Sequence, residues 1–426
     1  MTIHSIEALR RAARQIFMKA VEAADPALAV RQALTHAPLP TPGPKGKSYV
    51  IGIGKAAPAM MREALKHIDG PHHALCITHP ENEEQVEGVT LLHGAHPVPN
   101  ESSLAAGQAV KDLLSQAGAE DRVIALISGG GSALMALPAN GISIEDKGKV
   151  SALLLGAGID ITQMNLVRQQ LSQLKGGGML RAASPAPVTA YILSDVIGDD
   201  LRAIASGPTV APIGTRGDAR AICEAAEIWA DLPASVQKHL SQTGTPDTAP
   251  QAAQNLLIGS NRHSLHAAQA EARSIGAVQV VSDMLTGDVR DAATTLLDAA
   301  ESAPSGTLSV LLAGGETTVQ LTGTGRGGRN QELALHVAMG AAERGLDDSW
   351  VFLSGGTDGR DGPTDAAGGI VDADSLQRMI ASGTDPAALL QNNDSYAALA
   401  ASGDLLMTGA TGTNVADIQC FLISKP

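Results

Sequence analysis

Aromatic residues are almost missing from this sequence: three Phe, three Tyr and two Trp in 426 residues, 2% of the chain. A core without them is built from Ala, Leu, Val and Ile packed closely through small residues, in a chain whose apolar share of 44% and charged share of 17% are those of a globular protein. Cysteine is nearly as scarce. Cys76, Cys223 and Cys420 are far apart and odd in number, and no CxxC pair or Cys/His spacing suits zinc, so they read as reduced core thiols. Long apolar runs are missing too: none approaches the roughly 18 residues of a membrane span. The stretch Ile6 to Ala24 carries charges every few residues where a secretion signal needs an apolar centre, which makes the cytoplasm the expected compartment. Positive charge is in deficit, with 30 Lys and Arg against 44 Asp and Glu, a net −14. Such a surface repels nucleic acid and anionic lipid as a whole, so a phosphate-bearing ligand has to be held by a local cluster of donors. Neither GxSxG nor HExxH occurs, and no Ser-His-Asp or Cys-His constellation can be read.

What is abundant is glycine, 46 residues, set at the ends of strand-like runs. The length exceeds what one hydrophobic core usually organises, and two domains are expected. Apolar residues at helical spacing from Ser5 to Val30 predict an opening amphipathic helix. Strand-like runs follow at Tyr49–Ile53, Ala74–Thr78, Thr90–His93, Val123–Ile127 and Val188–Leu193, alternating with Ala/Leu-rich helical stretches. That alternation predicts a parallel, doubly wound sheet. The polar stretch Ser241 to Gln251 reads as a linker, giving domains 1–245 and 246–426. Beyond it the predicted strands are Leu256–Ile258, Val278–Val281, Leu308–Leu312, Val319–Leu321, Trp350–Leu353 and Ile418–Ile423, with helices starting near Arg262, Asp288 and Asn330.

Gly52-Ile-Gly54-Lys55-Ala-Ala57 follows a strand and opens a helix, formally the dinucleotide fingerprint. A nicotinamide site also wants an acidic residue at the end of the second strand, and here that strand ends Ile77-Thr78-His79. Lys55 can join amides at a helix N-terminus in holding a phosphoryl group or carboxylate, or be a solvated lysine beside a tight turn. Ser128-Gly129-Gly130-Gly131-Ser132 again follows a strand, and its three glycines let the backbone approach a ligand without a Cβ in the way. A flexible turn is the alternative; the Walker pattern is excluded because no Gly-Lys-Ser/Thr follows. Asn165-Leu-Val-Arg168 and Lys175-Gly176-Gly177-Gly178 bring two cations to another glycine loop, or form a solvated helix face. Asp195, with Asp199 and Asp200 behind it, stands at a strand end where open α/β sheets bind ligands and suits Mg²⁺ or a general base; Asp199 and Asp200 are equally ordinary turn chemistry. Glu316 follows Gly314-Gly315 after a strand, Arg326, Arg329 and Asn330 sit in a glycine-flanked segment suited to anion recognition, and Asp358 opens a loop dense in Asp, Thr and Gly. His93 and His96 before Pro97 read as metal ligands or as half-buried loop residues.

Taken in order, Gly52–Lys55, Gly94–Pro99, Ser128–Leu134, Asn165–Arg168 with Lys175–Gly177, Ser194–Asp200, Gly314–Thr318, Gly327–Glu332, Thr357–Asp365, Asn393–Tyr396 and Thr411–Asp417 resemble the class of glycerate 2-kinases that carry the MOFRL domain. The resemblance spans nearly the whole chain. It implies an α/β protein with an N-terminal Rossmann-like domain, a C-terminal MOFRL domain and an active site in the cleft between them. It also implies ATP and Mg²⁺ as cosubstrates, with transfer of the γ-phosphoryl group to the 2-hydroxyl of D-glycerate. By matching positions, Lys55 and Arg329 are the expected catalytic residues, drawn from opposite domains, with Asp195 assisting. Ser128, Gly129, Gly130, Gly131, Ser132 and Lys175 are then expected on the nucleotide. Arg168, Glu316, Asn330 and Asp358 are expected on the substrate, and Asp195 and Asp199 on the metal. The sequence departs from the common pattern at Gln169 and Gln170, where a basic residue and His are more usual, and at Ala410, where Pro is common. Bacterial members of the class also carry the name hydroxypyruvate reductase, the competing activity. The expected partners are a nucleotide and a small acid, with no nucleic acid or membrane, and a homodimer stays open.

Overall fold

The computed structural model describes residues 5–242, 252–346 and 349–425. Residues 26–258 form one compact unit, and residues 1–25 with 259–426 form the other. In the first unit six strands, β1 (Ser48–Ile53), β2 (His72–Thr78), β3 (Thr90–His93), β4 (Arg122–Ile127), β5 (Val188–Leu193) and β6 (Gln254–Gly259), line up as β3-β2-β1-β4-β5-β6. The β1·β2, β1·β4, β2·β3 and β4·β5 pairs are parallel, so Ile51 of β1 lies opposite both Leu75 and Ala125. Every residue of β1 and β5 is buried. That explains why these strands read as unbroken apolar runs: helices cover both faces of a parallel sheet and leave no solvated side to alternate with. The strand order reverses between β1 and β4, so the chain leaving Ile53 and Ile127 borders the crevice where doubly wound sheets hold ligands.

The second unit is a mixed sheet of β7 (Ala277–Asp288), β8 (Leu308–Thr318), β9 (Ser349–Gly356), β10 (Gly368–Asp372), β11 (Leu405–Leu406) and β12 (Asp417–Ser424), in the order β11-β10-β9-β12-β8-β7. β12 runs antiparallel to both β8 and β9, and only β7·β8 is a parallel pair. The helix Ile6–Ala23 lays Leu9, Ala13, Ile16, Phe17 and Ala20 on this sheet against Val310, Leu312, Val351 and Leu353. Arg10 fixes its position through ion pairs to Asp372 and Asp404.

Several sequence readings change here. The opening segment is two helices, Ile6–Ala23 and Pro26–His36, because Pro26 has no N–H to continue the first and is accepted at the start of the second. The two helices fall in different units, so the division at 245/246 does not describe the units, and that boundary itself lies outside the described residues. Of the linker Ser241–Gln251 only Ser241 and Gln242 are described. Leu256–Ile258, read as the first strand of the second series, is part of β6 and closes the first sheet, where Asn255 accepts a 2.6 Å hydrogen bond from Thr209. Val319–Leu321 is no strand. Gly314–Thr318, read as following a strand, is the end of β8 itself. β10 and β11 went unread. No helix among the described residues is long and apolar enough to cross a membrane.

Candidate active site

The first glycine loop is built to meet the second. Gly54 has φ of +125°, and a Cβ there would lie 2.5 Å from the Ser128 carbonyl oxygen, so only glycine lets the two turns touch. The contact consumes the amides that a helix N-terminus usually offers to an anion. Gly54 N–H donates to Ile77 O (3.0 Å), Lys55 N–H to Gly129 O (2.9 Å) and Ala56 N–H to Ser128 Oγ (3.1 Å). Lys55 is left with its side chain alone as an anion donor.

That side chain lies over the second loop. A Cβ on Gly130 would stand 3.3 Å from Lys55 Cγ and 3.4 Å from His96 Cδ2. Asp195, just past β5, packs its carboxylate on Gly129, where a Cβ would come within 2.6 Å of Asp195 Cγ, and it accepts a hydrogen bond from the Gly130 amide. Burial raises the Asp195 carboxyl above its ordinary range, against the pull of Lys55 and the amides. Burial, then Lys55 and His79, lower His96, so its imidazole favours the neutral form. Lys55, His96, Gly129, Gly130 and Asp195 therefore make one neighbourhood: a cation, a carboxylate of raised proton affinity and a Cβ-free backbone bend. Asp199 stands a short turn away with φ of 57°, and Asp200 is paired with Arg202 (2.8 Å). Among the described residues no group of three or more His, Cys, Asp or Glu could hold a metal.

On its other side the second loop opens the short helix Gly131–Leu134. Ser132 Oγ shares a 2.7 Å hydrogen bond with Ser206 Oγ, and the Ser132 carbonyl accepts from Lys175 Nζ. Ala205, Ser206 and Gly207 are all left-handed, at φ of 49°, 60° and 64°. Two of the three pay about 1–2 kcal/mol each for their Cβ, strain of the kind that collects at functional sites. Lys175 and Lys147 are each only 4% exposed. Burial, then Lys147 and Arg168, push the Lys175 ammonium well below its usual value, and burial with Arg168 brings Lys147 down to about 8. Arg168 and Lys175, read together from sequence, are thus together in space; Lys147 was not read. It lies inside an unremarkable amphipathic helix, Ile144–Gly156, and only its burial distinguishes it. Lys175 also lines a cavity of about 1220 Å³ bordered by Lys111, Arg181, Arg216 and His239.

In the other unit Arg329 opens the helix Arg329–Glu343 and is bidentate to Asp417, at 2.6 and 2.9 Å, and 2.8 Å from Glu316 at the end of β8. Asn330 is 1% exposed and spent on the fold: Ser354 Oγ donates to its Oδ1 (2.6 Å), and its amide nitrogens face Asp361. Asp361, unread from sequence, caps that helix through Asn330 N–H and Gln331 N–H, and burial lifts its carboxyl to about 6. Asp358 turns the chain toward Arg360 N–H (3.0 Å) near Asp417. Arg329, Glu316, Asn330 and Asp358 are therefore neighbours, with Asp361 and Asp417 as the members that sequence reasoning missed.

Residues 12–241 match the family model described as a domain of unknown function (DUF4147), and residues 309–417 match the MOFRL family. The D-glycerate 2-kinase of Thermotoga maritima is 36% identical over 98% of this chain and 99% of that protein. The chain belongs to the glycerate 2-kinase family with a MOFRL domain. The crystal structure of a glycerate kinase from T. maritima superposes with a TM-score of 0.90 at 36% identity, covering 98% of this chain and all of that one. A relative from Pyrococcus horikoshii, 38% identical over 89% of this chain and 88% of its own, is named glycerate 2-kinase. One from Agrobacterium vitis, 40% identical over 99% of this chain and 96% of its own, is named "Putative hydroxypyruvate reductase". Within this family the pairing of the Gly52 and Ser128 loops acquires a chemical setting.

Proposed function

We propose that this chain is a glycerate 2-kinase that moves the γ-phosphoryl group of ATP to the 2-hydroxyl of D-glycerate with Mg²⁺. The observation that carries the reading is the neighbourhood of Lys55, Asp195 and the Ser128–Ser132 bend, seen in a chain akin over its full length to named glycerate 2-kinases. Phosphoryl transfer asks the protein for charge neutralisation and alignment more than for covalent chemistry. Lys55 supplies a positive charge for the moving group. The Cβ-free bend lets phosphate oxygens approach the backbone. Asp195, its proton affinity raised by burial, takes the hydroxyl proton as the oxygen attacks phosphorus and the bond to ADP breaks.

Mg²⁺ keeps most of its water and borrows substrate phosphates, needing only one or two carboxylates, so a strand-end Asp195 with Asp199 close behind fits it better than a closed cage would. When bound it offsets negative charge on the phosphates. Arg329 keeps the catalytic role that the motif match assigns it. Reduction of hydroxypyruvate is disfavoured by a specific feature: the amides of Gly54, Lys55 and Ala56, which a dinucleotide pyrophosphate would need, are bonded within the protein, and β2 ends at Thr78 with no ribose carboxylate. The test is a pair of assays, ADP release dependent on D-glycerate and Mg²⁺ beside NADH oxidation with hydroxypyruvate, with phosphorus NMR identifying the product. ADP release yielding 2-phosphoglycerate is expected; nicotinamide oxidation without ATP consumption sinks the reading.

A further inference from the structure

Lys147 is a charged side chain with nothing among the described residues to neutralise it. It is 4% exposed, and its Nζ has no hydrogen-bond partner among the described residues. Beside it stand two more cations, Arg168 from the helix Ile161–Gln170 and Lys175 from the loop after it. The acids of the neighbouring elements are committed elsewhere. Asp146 accepts from Ser235 Oγ (2.6 Å), Glu145 from the Ser143 hydroxyl, and Asp160 caps its own helix at Thr162 and Gln163. Isolated buried ammonium groups are costly, and proteins keep them only where a partner offsets them. Among the described residues none supplies that partner.

We propose that Lys147, Arg168 and Lys175 form the subsite that grips the phosphate groups of the nucleotide, an inference that rests on the kinase reading above. Three cations against one carboxylate would leave two charges uncompensated, whereas a polyphosphate carries enough negative charge to meet all three. Lys175 Nζ donates to the carbonyl of Ser132, so the cluster is tied to the glycine-rich bend already assigned to phosphate. Lys175 also lines the cavity of about 1220 Å³, where Lys111 and Arg216 add charge of the same sign and no acid among the described residues contributes, although the chain as a whole is strongly acidic. The assignment adds Lys147 to the nucleotide site and moves Arg168 from the acceptor to the donor.

Lys147→Met tests it, since methionine keeps the length and removes the charge. The unliganded variant should melt higher than wild type, because a buried charge is gone. Its affinity for tripolyphosphate and for ADP, measured by calorimetry, should fall about tenfold or more, and KM for ATP should rise in parallel while KM for D-glycerate stays within about twofold. A purely structural lysine would give the opposite pair, a lower melting temperature with unchanged polyphosphate binding, and would overturn the proposal. A rise in KM for D-glycerate alone would also overturn it, placing the acceptor here while leaving the kinase reading intact. Were wild type to release no ADP with D-glycerate, the kinase reading would fall, and tripolyphosphate calorimetry would still show whether these side chains bind phosphate. Arg168→Gln, at a half-exposed position, repeats the measurement if Lys147→Met does not fold.

Discussion

Replacing Gly129 by alanine plants a methyl group 2.6 Å from Asp195 Cγ and 3.0 Å from its Cβ, with the carboxylate oxygen nearer still. Ordinary contact begins near 3.4 Å, so one of the two must give way by about 1 Å. The backbone cannot easily do so, because the Gly129 carbonyl accepts from Lys55 N–H at 2.9 Å and the adjacent Gly130 amide holds the carboxylate. The side chain of Asp195 is therefore what moves. A displacement of that size at a reacting group costs on the order of 10²-fold in rate, while the overpacking costs stability only about 1–3 kcal/mol. The expected signature is a large fall in kcat for D-glycerate-dependent ADP release from a protein that still melts cooperatively. Gly156→Ala serves as the control: nothing lies within 4 Å of its Cβ position at an exposed helical site, and stability should rise by up to about 1 kcal/mol with activity unchanged. If Gly129→Ala keeps kcat within about threefold of wild type, Asp195 does not act where we place it.

Two further outcomes follow from buried charge. Arg329→Ala strands the fully buried Asp417 without its bidentate partner and should cost about 3–5 kcal/mol in denaturant unfolding; pairing Arg329→Met with Asp417→Asn should restore stability but not ADP release, and recovery of both would reduce Arg329 to a structural role. Lys147 titrates near 8 in the fold against about 10.5 unfolded, so the folded state holds fewer protons in that window: wild-type stability measured against Lys147→Met should rise between those two pH values by roughly 3 kcal/mol and stay level below the lower one, and a flat difference refutes the burial of a charged Lys147.

Glycine accounts for two of the places where the sequence misled. Gly314 and Gly315 read as lying past the end of a strand, yet they sit inside β8, where a Cβ on Gly315 would lie 2.5 Å from Leu285 N, so close strand packing demands them. β10 went unread for the same cause: it begins Gly368-Gly369, and a Cβ on Gly368 would lie 2.9 Å from Gly355 Cα. At Gly54 and Gly129 the same lack of a side chain lets one loop touch Ser128 and Asp195 pack on the other.

By itself the sequence determined the parallel first sheet, the strand tips that carry the glycine bends, and the candidate cations Lys55, Arg168, Lys175 and Arg329, because burial on both faces and backbone approach leave local signatures. Only the tertiary structure decided that β6 completes the first sheet and that Ile6–Ala23 belongs with residues 259–426, since strand pairing and helix docking join segments with no shared pattern. It alone decided that the amides of the Gly52 loop are spent within the protein, and that Lys147 is buried with no hydrogen-bond partner among the described residues. A hydrogen-bond partner and a missing counter-charge are properties of neighbours in space, and no run of residues encodes its neighbours.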